Sequence, residues 1–164
     1  MSSANLRRTP EAIEHYDSVR DALVEVAENS FFAFVDPVES DAAAEVLAMA
    51  PSWLKATVVF EGAFGGAMEI ALAEPLALEL FASFLGLDPG ETPDDVPLFD
   101  LVGEFGNMVC GSWLTRSCQR RRFDLHHPEV VRVPASAAPE ADAGLLVLTL
   151  NGQPACMRLT FSEA

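Results

Sequence analysis

Four non-apolar residues recur along one segment of the chain at the spacing of an α-helix. At steps of four, three and four residues stand Asp100, Glu104, Asn107 and Gly111. Residues three or four apart lie one above another on a helix, so these four form a stripe on one face. A carboxylate can pair with a cation, and a carboxamide can orient a water molecule through its oxygen and its two N–H donors. On spacing alone, the stripe predicts either a solvated polar face or a site that binds a partner.

The helix that must carry this stripe is predicted over 98–118. Its apolar residues recur at helical spacing and predict a face buried against a core. They are Leu98, Leu101, Val102, Phe105, Met108, Val109 and Trp113. Three glycines, Gly103, Gly106 and Gly111, stand within or beside the stripe, although each costs up to about 1 kcal/mol relative to alanine inside a helix. Either they allow another helix to pack closely beside a solvated polar face, or they leave the backbone accessible to a partner.

The rest of the chain is predicted to build a single α+β domain, with long helices packed on a mostly antiparallel sheet. Residues 1–9 are interpreted as a flexible leader, and the domain spans 10–164. Within the domain, the sequence patterns predict these elements in chain order: a helix (10–34), a helix or loop (40–50), two strands (Trp53–Phe60 and Ala67–Leu72), a helix (75–86), an acidic loop (88–97), the helix over 98–118, strand pieces (123–133), a loop (134–143) and a hairpin (145–161). The Asn151-Gly152 step supplies the hairpin turn.

Composition and charge exclude several classes of function. The 164 residues include ten Lys and Arg against 25 Asp and Glu, which gives a formal net charge of −15. The whole excess lies in residues 1–100, which hold 19 acidic and four basic side chains. Such a chain lacks the basic footprint that sequence-independent nucleic-acid binding needs. No stretch approaches the roughly 20 apolar residues of a membrane span, and no apolar signal core follows Arg7-Arg8, so we expect a cytoplasmic protein.

Neither the cysteines nor the histidines predict a metal site. Cys110, Cys118 and Cys156 show no CxxC spacing, and we expect reduced structural thiols. The histidines, including the pair His126-His127, have no partner at ligand spacing and are interpreted as surface or strand residues. No metal or other cofactor is expected on this chain.

The stripe and its surroundings together resemble a known family. The pattern Asp100-x-x-x-Glu104-x-x-Asn107-x-x-x-Gly111 is similar to the signature of the CheC/CheX/FliY family of chemotaxis phosphatases, and the nearest branch is CheX. The order of elements agrees with it: a long first helix, a strand pair before an acidic loop, the signature helix ending in basic residues, and a closing hairpin. The resemblance covers roughly residues 10–162.

The resemblance implies that the protein is a phosphatase acting on a phosphorylated receiver domain of the CheY type. Glu104 would form a salt bridge with the lysine of the receiver's active site. Asn107 would hold the attacking water in line with the aspartyl phosphate, and the receiver would supply its bound Mg²⁺. Because an acyl phosphate is already activated, its hydrolysis mainly needs positioning and charge neutralisation. A carboxylate and an amide can serve that purpose without a metal on this chain.

The resemblance also implies roles for the remaining residues of the motif. Gly103 and Gly106 would clear the surface around the two side chains for docking. Asp100, near the first turn, would favour the helix dipole or cap free amides, and Gly111 would permit close packing.

Other expectations concern further sites and partners. Some family members carry a second Glu-x-x-Asn site on the first long helix. Here Glu25 is followed by Glu28 at the amide position and Asn29 lies one residue late, so one site is expected. Arg116 and Arg120–Arg122 are interpreted either as a solvated helix end or as a surface that attracts the receiver. The CheX branch implies a homodimer through sheet edges, and the alternative function is a non-catalytic module that binds receivers or joins a flagellar-switch-like assembly.

Overall fold

The computed structural model of the chain describes residues 10–88, 90–117, 121–142 and 144–162, with the backbone alone for 10–16. The predicted leader over 1–9 lies outside the described residues, as do Cys118 and Arg120. Helices and an antiparallel sheet form one domain, which confirms the α+β prediction. No helix within the described ranges is long and apolar enough to cross a membrane.

Four α-helices and seven strands make up the described parts of the chain. The helices are α1 (Pro10–Phe31), α2 (Ala43–Ala48), α3 (Glu74–Leu85) and α4 (Asp95–Ser117). The strands are β1 (Val35–Pro37), β2 (Ser52–Gly62), β3 (Gly66–Ala73), β4 (Phe123–Leu125), β5 (Glu129–Pro134), β6 (Leu145–Leu150) and β7 (Gln153–Phe161).

The seven strands form one sheet in which neighbours pair antiparallel. Its order is β1-β6-β7-β3-β2-β4, and β5 also pairs with β2. Along one side of β2 runs β3, while the other side is shared by β4, which pairs with 60–62, and β5, which pairs with 52–57. Residues 126–128, which we call the β4–β5 link, therefore pass beside the middle of β2.

Helix α4 lies on this sheet through the apolar face predicted from its sequence. Five residues of that face are at most 1% exposed: Leu98, Val102, Phe105, Val109 and Trp113. The helix packs on β2, β3 and β5 and also against α1. At the α1 contact, the indole N–H of Trp113 donates to Ser18 Oγ over 3.1 Å. Burial of one face leaves the opposite stripe turned outward.

The first helix is shorter than predicted. It ends at Phe31 because Phe32 adopts a left-handed backbone with φ 55°, and the N–H of Ala33 then bonds back to a helix carbonyl. Phe34, which the periodicity assigns to the buried face, is 78% exposed. Residues 35–37 form β1 at the edge of the sheet instead. Three residues are too few for an alternating pattern to reveal a strand.

The structure also decides three other predicted segments. The undecided stretch over 40–50 contains α2. Residues 95–97, predicted as loop, form the first turn of α4, which accepts Pro97 because N–H groups there need no helical acceptor. The predicted hairpin is confirmed: Asn151 and Gly152 have φ of 52° and 77°, as a two-residue turn between antiparallel strands requires.

Candidate functional site

The predicted stripe lies on the outward face of α4. Asp100 and Glu104 are exposed, while Asn107 and Gly111 are half-buried. Glu104 and Asn107 are three residues apart, which is about 4.5 Å along the helix axis. The carboxylate and the amide are thus close enough to act on one incoming surface.

A cleft of about 470 Å³ opens beside the stripe, between α4 and the β4–β5 link. Its lining consists of Phe99, Asp100, Gly103, Glu104, Asn107, His127, Pro128 and Val130. One wall belongs to α4, and the other belongs to the link and the start of β5. Glu104 and Asn107 therefore border a concave surface shared by two elements.

Both side chains are available to a partner. Among the residues that the structure describes, neither the Glu104 carboxylate nor the Asn107 amide has a hydrogen-bond or ion-pair partner. A free carboxylate can pair with an incoming cation, and a free amide can both accept from and donate to a water molecule. In the described ranges, no three His, Cys, Asp or Glu residues are placed to hold a metal ion. The cleft offers charge and hydrogen bonds to whatever docks there.

Comparison with known protein families assigns the chain. The family described as chemotaxis phosphatase CheX matches residues 54–148, more than half of the chain and every residue that lines the cleft. The chain belongs to the CheX family. A comparison with curated proteins finds no significant match.

Solved structures share the CheX fold. The chemotaxis protein CheX from Vibrio vulnificus has a TM-score of 0.67 at 22% identity, over 91% of this chain and 97% of that one. A CheC-like superfamily protein from Shewanella sp. PV-4 has a TM-score of 0.63 at 21% identity, over 92% and 99%. A chain of the CheX-CheY-BeF3-Mg complex from Borrelia burgdorferi has a TM-score of 0.57 at 14% identity, over 91% and 98%. The predicted family and fold are thereby confirmed.

Two glycines of the CheX signature helix serve packing. A Cβ on Gly106 would come within 3.2 Å of Ala56 Cβ and 3.3 Å of Val58 Cγ2 on β2. A Cβ on Gly103 would come within 3.2 Å of Pro128 Cγ in the β4–β5 link. Both glycines are buried and let α4 approach its neighbours closely. Gly106 is directed at β2, whereas Gly103 lines the cleft and lets its two walls meet closely. The expectation that these glycines clear a surface for docking stays a prediction.

The structure excludes one of the two roles expected of Asp100, and it bears on the packing role expected of Gly111. Asp100 is the sixth residue of α4, so it cannot cap the free amides, which belong to the first four residues. The acidic residue of the first turn is Asp95. Gly111 is not required by close packing, since an added Cβ would lie 3.8 Å from Leu125 Cδ1, an ordinary contact.

Arg132 on β5 fixes the start of α4. Its guanidinium donates two hydrogen bonds to Asp95, over 3.1 and 2.9 Å, and one of 2.9 Å to Glu74 at the start of α3. It also lies over the ring of Phe99, 5.4 Å from the ring centre. The hydrogen bonds from Arg132 hold the pKa of both carboxyl groups below their ordinary values and raise the pKa of Arg132. This cluster frames the end of the cleft that Phe99 lines.

The first helix does not repeat the site. Glu25 forms an ion pair with Arg116 near the end of α4, so its carboxylate is engaged. The prediction of a single site rests on Glu28 at the amide position of α1. The ion pair of Glu25 is a second feature that disfavours a site on this helix. It also neutralises one of the cations considered for docking, while Arg121 and Arg122 remain exposed.

Sequence reasoning missed three residues around the cleft: Phe99, His127 and Arg132. The interpretation of His127 as a plain surface residue is incomplete, because its exposed side chain belongs to the cleft wall. One sequence signal could have drawn attention to it. A proline favours extended backbone in the residue before it, so the His127-Pro128 step predicts an extended link next to a short strand.

Proposed function

We propose that this protein hydrolyses the aspartyl phosphate of a CheY-like receiver domain. The observation that carries the proposal is the free pair of Glu104 and Asn107 beside a cleft, in a chain that belongs to a family of chemotaxis phosphatases. The solved complex of CheX with CheY, BeF3 and Mg supports a receiver as the partner. With such a partner, the location we propose is the cytoplasm.

In the proposed encounter, Glu104 pairs with the receiver's active-site lysine and Asn107 enters the phosphorylation site. The amide orients a water molecule in line with the phosphorus. The water oxygen bonds to phosphorus, the bond from phosphorus to the aspartyl oxygen breaks, and inorganic phosphate and a free carboxylate result. The receiver brings the Mg²⁺ that neutralises the developing charge, so this chain contributes docking and orientation.

Phosphate release from phosphorylated receiver domains of the source organism tests the proposal. The protein should accelerate release, and Asn107→Ala should remove the acceleration, a loss of about 100-fold, because the water is no longer oriented. Asn29→Ala is the matched control, since Asn29 is an exposed amide on the other long helix. If no receiver loses phosphate faster, the phosphatase proposal fails. Binding without acceleration would identify the docking module instead.

We also propose that two copies pair through the sheet edge at β1. The rings of Phe32 and Phe34 beside this edge are 80% and 78% exposed. An exposed edge strand with apolar neighbours favours pairing with another chain. The mass in solution should therefore be that of a dimer, and Phe34→Glu should shift it to the monomer. A wild-type monomer at micromolar concentration would contradict this pairing.

A further inference from the structure

His127 is held in the wall of the cleft by its two chain neighbours. On one side, the N–H of His126 donates to the carbonyl of Val59 on β2 over 2.9 Å. On the other side, Pro128 packs against Gly103 of α4 and favours extended backbone at His127. The link is therefore held to both the sheet and the helix. The side chain of His127 lines the cleft from this segment.

The imidazole of His127 is the one basic side chain among the described residues that line the cleft. The carboxyl groups on the elements around it are Asp95, Asp100 and Glu104 on α4, Glu61 on β2, Asp124 on β4 and Glu129 on β5, and the cations there are Arg116, Lys55 and Arg132. The neighbouring His126 is engaged elsewhere, because its Nε2 lies 3.2 Å from Glu61. Apart from His127, the lining of the cleft would repel an anion.

We propose that His127 binds the docked receiver by donating a charge-assisted hydrogen bond to an anionic oxygen of its phosphorylation site. The inference rests on the proposed function, which brings a phosphoryl group and acidic side chains onto this cleft. A protonated imidazole carries the required charge and two N–H donors. Glu104 then engages the receiver's cation from α4, while His127 engages its anion from the opposite wall. Two contacts of opposite sign fix the receiver's orientation before Asn107 acts.

Receiver binding by the wild-type protein and by His127 variants tests this role. The probe is a receiver domain trapped with beryllium fluoride and Mg²⁺, titrated with each protein under the same conditions. His127→Ala should raise the Kd about tenfold, the worth of one charge-assisted hydrogen bond. In phosphate release the same variant should raise KM and leave kcat unchanged.

Two substitutions separate charge from shape. His127→Lys keeps a cation at this position and should keep the Kd close to the wild-type value, whereas His127→Gln should bind as weakly as His127→Ala. His126→Gln is the matched control: its backbone N–H remains bonded to Val59, and its side chain faces β2, so the Kd should stay at the wild-type value.

The outcomes separate this inference from the proposed function. If the wild-type protein binds no receiver, the proposed function fails and this inference with it. If the receiver is bound and its aspartyl phosphate is hydrolysed but His127→Ala and His127→Gln keep the wild-type Kd, the docking role alone is overturned. A lower kcat with an unchanged Kd also overturns it. Repeating the titration without beryllium fluoride identifies the acceptor: an effect confined to the trapped receiver indicates a phosphoryl oxygen, and an effect in both forms indicates a carboxylate.

Discussion

The two long helices of the domain, α1 and α4, contain 22 and 23 residues and pack against each other, yet they offer different surfaces to a partner. Each carries a glutamate, Glu25 or Glu104, at the first position of the Glu-x-x-Asn spacing that the sequence predicts for the site. On α1, Glu25 is paired with Arg116, whereas Glu104 on α4 borders a cleft and has no partner in the described ranges. From this comparison we expect a suitable carboxylate to become a site only where a second element completes it. For α4, that element is the β4–β5 link.

The two helices also differ in how closely they approach their neighbours. On α1, Ala22 and Ala27 are fully buried, while α4 places Gly103 and Gly106 against its neighbours. The absent Cβ atoms let α4 approach β2 and the β4–β5 link closely. The distance between the stripe and the opposite wall therefore depends on glycines that carry no chemistry themselves.

The largest stability effect should come from filling this close contact. Gly106→Val would push methyl groups into Ala56 and Val58, so we expect the free energy of unfolding to fall by about 2 kcal/mol, as for an overpacked core. Gly111→Ala is the control on the same helix, because a Cβ fits there. It should raise stability by about 0.5 to 1 kcal/mol through helix propensity. Equal effects of the two variants in chemical denaturation would mean that close approach does not distinguish these sites.

The next effect sharpens the contrast between the two carboxylates. Glu104→Gln keeps the shape of the side chain but removes its charge, so the KM for phosphorylated receiver should rise about tenfold if it pairs with a lysine. Glu25→Gln should leave KM and kcat unchanged and alter stability by less than about 1 kcal/mol, as expected for an exposed ion pair. Steady-state phosphate release distinguishes them. If Glu25→Gln weakened turnover as much, α1 would have to contact the receiver too.

These helices also show what a sequence can predict. The stripe and the buried face of α4 follow from one local period of 3.6 residues, so both could be recognised from the sequence. The second wall could not, because it depends on β4 and β5 sharing one side of β2, a long-range pairing. Arg132 has an ordinary local context, and its register opposite Leu54 brings it to the start of α4. His127 is likewise informative only once the link lies against Gly103.

A smaller, pH-dependent effect tests the ion cluster of Arg132, Glu74 and Asp95 at the start of α4. Arg132→Met should lower the free energy of unfolding at neutral pH, since Glu74 and Asp95 lose their hydrogen-bond donor. In the folded protein the pKa of both carboxyl groups lies below the ordinary values of 4.5 for Glu74 and 3.8 for Asp95. Their contribution to stability is therefore fully present above these ordinary values and is lost as the pH falls below them to the pKa values of the folded protein. The difference between wild type and variant should therefore shrink in acid. A difference that stays constant down to about pH 2 would exclude the ion cluster as its cause.

The smallest expected effect is none at all, and it tests the comparison of the helices most directly. Glu28→Asn restores the Glu-x-x-Asn spacing on α1, and in an Asn107→Ala background any phosphate release above the receiver's own rate would have to come from the new pair. We expect no gain, because Arg116 engages Glu25 and the cleft wall provided by the β4–β5 link stands beside α4. Adding Arg116→Ala frees the carboxylate and isolates the second condition. If only the triple variant is active, the ion pair with Arg116 keeps α1 inactive. If Glu28→Asn in the Asn107→Ala background is already active, the local motif suffices and the opposite wall is dispensable.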